Sequence, residues 1–234
     1  MMESVKNNLT NGIIHLSEEE KQEPVSVILE LFDCSSIYHL RVYLWKYLKA
    51  ATGEVGWHQM AQPLDAVVLQ KRLEKLMEAC WLLLREKEAR DGEVLLPCFA
   101  PGSMDWLDDD RQMHLERYKL EDDYGTDIQY LRQRELEYPV LVLKDFFNTQ
   151  SLDEWKGLLS EWTEYALCAT SLLQDTENYK LLQHYDQLER LLEVAYYFTL
   201  LLDCQEDILG KITEEATGAA ELKDKAHGNS LERE

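Results

Sequence analysis

Sliding the 234-residue chain along itself by 115 positions aligns residues 24–86 with 139–201 without a gap, and this register constrains the fold more than any other feature. Twelve of the 63 aligned positions are identical: Pro24/Pro139, Val25/Val140, Val27/Val142, Phe32/Phe147, Ser36/Ser151, Leu44/Leu159, Ala51/Ala166, Gln59/Gln174, Leu73/Leu188, Glu74/Glu189, Leu76/Leu191 and Glu78/Glu193. Others keep their type, including Arg41 with Lys156 and Tyr47 with Trp162. The pattern reads as an internal duplication, and Leu16/Leu131 and Glu20/Glu135 extend it toward the N-terminus.

Each copy reads as three helices. Ser17 and Glu20 form an S-x-x-E capping box, and residues 1–15 before it are expected to be frayed. Pro24 suits the first turn of a helix expected over Val25–Phe32. Ser36 caps a second helix whose Ile37, Leu40, Leu44, Tyr47 and Ala51 fall on one face. The matching face is Leu152, Trp155, Leu159, Trp162 and Ala166, capped by a Ser151–Glu154 box. A third, longer helix carries Leu69, Leu73, Leu76, Cys80 and Leu83, with Leu181, Tyr185, Leu188, Leu192, Ala195 and Leu202 as its counterpart. The expected fold is all-α: two tandem three-helix units (16–90 and 131–209) packed as a helical bundle, an irregular acidic insert at 91–130, and a C-terminal helix end with a disordered tail at 210–234. Scarce Gly (10) and Pro (5) argue against sandwiches, barrels and Gly-rich phosphate loops.

A formal charge of −21 disfavours nucleic-acid backbones and anionic membrane surfaces as partners. It serves solubility first; its functional reading is a basic partner, or mimicry of nucleic acid with the acids gathered on one elongated face. Five widely spaced cysteines without a CxxC pair fit a reduced, cytoplasmic chain. Cys80 and Cys168 fall in apolar helical patterns, where a free thiol acts as a small buried hydrophobe. No apolar run approaches the roughly 20 residues that span a bilayer.

Chemistry is sparsely marked. Glu74 and Glu78 lie one turn apart and recur as Glu189 and Glu193, so pseudo-symmetry can gather four carboxylates as in a dinuclear metal bundle. Such bundles also use E-x-x-H pairs, and the chain has none; the structural alternative pairs Glu78 and Glu193 with Arg41 and Lys156. Asp110 and His114 form a D-x-x-x-H pair in the insert, a second candidate for a metal or general base. There is no G-x-S-x-G and no catalytic cysteine context, and no cofactor is expected. Trp45 lies off its helix's apolar face and corresponds to Ser160, which marks a surface used once, between the halves or with a partner.

The repeated P-x-x-V-[IL]-x-x-[LF]-F, S-x-x-x-x-[KR]-x-x-L and L-E-[KR]-L-x-E motifs, over 16–86 and 131–201, resemble helical proteins of Bacteroidetes-type bacteria. The resemblance implies a helical fold and brings no activity, cofactor or catalytic residue. Together these readings lean away from an enzyme and toward a cytoplasmic protein-interaction or regulatory module, with a protein partner or a second copy as homodimer. A metal-binding bundle and an acidic nucleic-acid mimic are the alternatives.

Overall fold

The computed structural model describes residues 12–53, 56–89, 128–168, 172 and 179–202. Contacts divide the chain into a unit of Met1–Thr199 and a short one of Leu200–Glu234, in which the described residues 200–202 are helical. The elements, core and site described below lie in the first.

The fold is all-α, and no strand occurs among the described residues. Helix α1 (Glu18–Gln22) starts at the expected box: Glu20 N–H donates to Ser17 Oγ at 3.2 Å and Ser17 N–H to Glu20 Oε2 at 2.7 Å. Helix α2 (Pro24–Cys34) carries Pro in its first turn and extends past Phe32. In α3 (Ile37–Ala51) the Ser36 hydroxyl accepts from His39 N–H, and Gly53, at φ +73°, ends the helix in the left-handed conformation only glycine adopts freely. A 3-10 turn (Trp57–Gln59) then leads to the long α4 (Pro63–Ala89). Helices α5 (Gln133–Glu137), α6 (Val140–Thr149) and α7 (Leu152–Cys168) follow in the same order, and α8 runs from 179 to the unit's end at 199.

The expected stripes form the core. Helix α3 packs on α7, and α4 packs on α2, α6 and α7. At the centre Leu44 and Leu159 are fully buried, and Tyr47 meets its own counterpart Trp162 edge-on at 5.8 Å. The Tyr47 hydroxyl donates to Leu159 O at 2.6 Å and lies against Thr163, whose hydroxyl reaches Gln70 Oε1 at 2.6 Å. Leu76 and Leu191, matched in the sequence, are both buried, and one truncated Leu in such a core costs about 2–5 kcal/mol.

Contacts at positions 115 apart come in exchanged pairs. Phe147 packs on Trp81 at 5.0 Å, and Phe32 on Tyr196 at 5.3 Å, so each aromatic of one segment is covered by a long helix of the other.

Two expectations are corrected. Residues 12–15 are held rather than frayed: Ile13 is buried, and Ile14 and His15 donate backbone N–H to Glu78. Cys168 is exposed, because it ends α7 two residues past Ala166 and two helical positions turn it about 200° away from the stripe. Cys80 is buried as expected, and burial pushes its thiol up to about 12. Residues 91–127 of the acidic insert, with Asp110 and His114, and the tail from 203 lie outside the described residues; the insert's last residues, 128–130, are described and lead into the second segment.

Candidate functional site

The recurring glutamates are the natural place to look for chemistry, because Glu is almost never fully buried unless paired. All four are buried: Glu74 and Glu78 on α4, Glu189 and Glu193 on α8, with Glu78 and Glu193 at 0 % exposure. Burying a bare carboxylate is prohibitive, so donors must surround each one.

Glu78 accepts three consecutive backbone N–H groups, from Ile14 (3.0 Å), His15 (2.9 Å) and Leu16 (3.1 Å), and an ion pair from Lys156. Glu193 repeats the arrangement 115 residues on. Gln129 (2.6 Å), Tyr130 (2.7 Å) and Leu131 (2.9 Å) donate N–H groups, and Arg41 supplies the cation. A carboxylate offers about four acceptor sites, and both are filled. The expected pairing of these acids with Arg41 and Lys156 is present, but exchanged: the base on α7 serves the acid on α4, and the base on α3 serves the acid on α8.

The second pair is solved differently in the two segments. Glu74 meets His15 Nε2 at 2.7 Å and Gln70 Nε2 at 2.8 Å. Glu189 takes Arg41 Nε at 3.1 Å and the Tyr185 hydroxyl at 2.6 Å, Tyr185 standing where the first segment has Gln70. Burial, with Asp186 adding to it, holds the Glu189 carboxyl above its ordinary range against the opposing pull of Tyr185 and Arg41. Burial and the Glu189 charge push the Tyr185 phenol far upward, so its hydroxyl keeps its proton and donates. Further out, Lys75 pairs with Glu20 at 2.6 Å and Arg190 with Glu135 at 2.5 Å, again 115 residues apart.

The four glutamates therefore sit as two pairs, each closed by its own strap and its own cation. Among the described residues no three His, Cys, Asp or Glu side chains converge as a metal-ligand group. Both carboxylate pairs bind protein donors and position chain segments. Sequence reasoning missed the backbone straps at 14–16 and 129–131, although the recurrence of Leu16 and Glu20 at Leu131 and Glu135 was the available signal that the repeated text begins before Pro24.

Trp45 is half exposed on α3, edge-on to Tyr185 of α8 at 5.5 Å, with Lys49 over its face. It thus joins the two segments and still shows a face to solvent, as its lack of an aromatic counterpart led one to expect. Tyr38, two turns earlier on α3, is also exposed. His184 is half-buried against Trp155, with ring centroids 5.6 Å apart.

These features define the class as a helical protein whose buried carboxylates are held by the chain's own donors. No protein-family model matches the chain, and no curated protein or solved structure does. Among the described residues no helix is long and apolar enough to cross a membrane.

Proposed function

We propose that this chain is a non-enzymatic protein-interaction module whose partner presents a basic surface. The observation that carries the reading is the saturation of Glu78 and Glu193, with Glu74 and Glu189 each held by two protein donors: the acids best placed for metal or acid–base work are spent on straps, cations and side chains of the chain itself. What remains for function is surface. The half-exposed Trp45, with Tyr38 on the same side of α3, is the kind of rigid aromatic that dominates interface energetics. A charge of −21 favours association with a cationic partner through steering and complementarity.

The test is capture from native-cell extract on immobilised wild type and Trp45→Ser, the residue found at the corresponding position 160. A basic protein recovered stoichiometrically on wild type, released by moderate salt and lost on Trp45→Ser at unchanged melting temperature, supports the reading. Identical capture by the two forms, or stoichiometric metal in protein purified without chelator, overturns it.

A further inference from the structure

A cleft of about 370 Å³ opens between the start of α3 and the first half of α4, with Ser35, His39, Asp65 and Arg72 at its rim and Leu40 and Leu69 at its floor. We propose that it is a binding site for a small organic anion, with the anion's carboxylate or phosphate on Arg72 and its apolar body on Leu40 and Leu69. The proposal goes beyond the interaction reading and stands on different residues.

Three observations support it. The volume falls in the range of small-molecule pockets, roughly 300–1,000 Å³. Arg72 donates to the neutral Ser35 hydroxyl at 3.1 Å and, among the described residues, is paired with no carboxylate, whereas Arg41, Lys75, Lys156 and Arg190 each hold a glutamate. In a chain of charge −21 a guanidinium left facing a cleft is a ready acceptor of a carboxylate or phosphate, which its planar fork grips through two parallel hydrogen bonds. Asp65 does not neutralise it. It lies seven residues away, about 10 Å along α4, and its Oδ2 already accepts Gln62 N–H at 3.0 Å.

The second segment supplies an internal control. Positions 115 residues on from Leu40, Leu69, Ser35 and Arg72 are Trp155, His184, Gln150 and Gln187. There the indole is fully buried, the imidazole packs edge-on against it, and Gln150 Nε2–H donates to His184 Nε2 at 2.7 Å. The place that is open in the first segment is occupied by side chains in the second, and Gln187 stands there in place of the guanidinium. One smaller floor residue, Leu40 in place of Trp155, and one arginine thus distinguish a cleft from a core.

The experiment follows backbone amide shifts of the full ¹⁵N-labelled chain on titration with benzoate, phenyl phosphate, sodium phosphate and, as a neutral control, benzyl alcohol. Saturable shifts confined to residues 35–43 and 65–72 are expected with benzoate or phenyl phosphate and not with benzyl alcohol. Whichever of the two answers identifies the head group. Arg72→Gln should weaken the response at least tenfold, and Leu40→Trp, which installs the second segment's side chain, should abolish it. Absence of saturable shifts with both organic anions to about 10 mM overturns the proposal. So does a response that sodium phosphate reproduces and Arg72→Gln leaves unchanged, which would be an adventitious ion only. Because Arg72 is exposed, Arg72→Gln keeps the test decisive even where Leu40→Trp does not fold.

Discussion

Lys156 forms its ion pair with a Glu78 carboxylate that is at the same time clamping the backbone of residues 14–16, so one buried acid ties the chain's N-terminal strap to α4 and to α7. Lys156 also donates to Gly12 O, closing the strap from its other end. Removing the charge at Glu78 strands a buried ammonium and weakens three hydrogen bonds. Glu78→Gln is therefore expected to cost about 3–5 kcal/mol in chemical denaturation, the range for breaking one side of a buried pair. Lys156→Met should cost less, since Glu78 keeps its three N–H donors. Equal or reversed costs would show that the strap does not depend on the carboxylate.

At the apolar centre, Leu76→Ala and Leu191→Ala are each expected to lose about 2–5 kcal/mol, because both side chains are buried and the surrounding helices cannot close the void. Losses below about 1 kcal/mol for both, in urea melts, would contradict the packing described for α4 and α8.

Tyr47→Phe removes a hydroxyl that donates to Leu159 O and lies against Thr163, at the head of a polar chain running through Gln70 to Glu74 and His15. Burial pushes the Tyr47 phenol upward, so it stays protonated throughout the working pH range. The expected loss is about 0.5–1.5 kcal/mol, one buried hydrogen bond, because Thr163 Oγ1 still donates to the Leu159 carbonyl at 3.0 Å. A neutral effect on denaturation would mean that Thr163 alone satisfies it.

The pH dependence has a defined sign at His184. Burial, with Lys180 adding to it, lowers its pKa below the ordinary 6.5, and accepting from Gln150 favours the neutral ring. The unfolded chain then binds the proton more readily than the folded one. The stabilisation is fully present above about pH 6.5 and is lost as pH falls through the lower folded value. His184→Asn should flatten this limb of the stability profile below about pH 6.5, measured by thermal melts in matched buffers. An unchanged limb would assign the dependence elsewhere.

Divalent metal is expected to leave the fold's stability unchanged. A ligand of the folded state alone raises the melting temperature by mass action, and carboxylates already engaged by His15, Gln70, Tyr185, Arg41, Lys156 and backbone N–H groups would have to give those donors up to bind Mn²⁺ or Zn²⁺. A metal-dependent rise in chelator-treated wild type that vanishes in both Glu78→Gln and Glu193→Gln would make this a metalloprotein.

Local patterns carried most of the architecture. Ser17–Glu20, Ser36 and Ser151–Glu154 announce helix starts because a cap needs partners only three residues away, and the Leu44, Tyr47, Leu159 and Trp162 stripes announce buried faces because helical period is a property of neighbours. The sequence by itself thus determined the helices, their buried faces and the 115-residue register of recurring acids and bases. Only the tertiary structure decided that Lys156 serves Glu78 while Arg41 serves Glu193, that residues 14–16 and 129–131 are straps, and that the place beside Leu40 is open where the one beside Trp155 is filled. The physical reason is range: those partners lie 34 to 152 residues apart, and which donor reaches a buried carboxylate depends on how α3, α4, α7 and α8 cross, a relation no local period encodes.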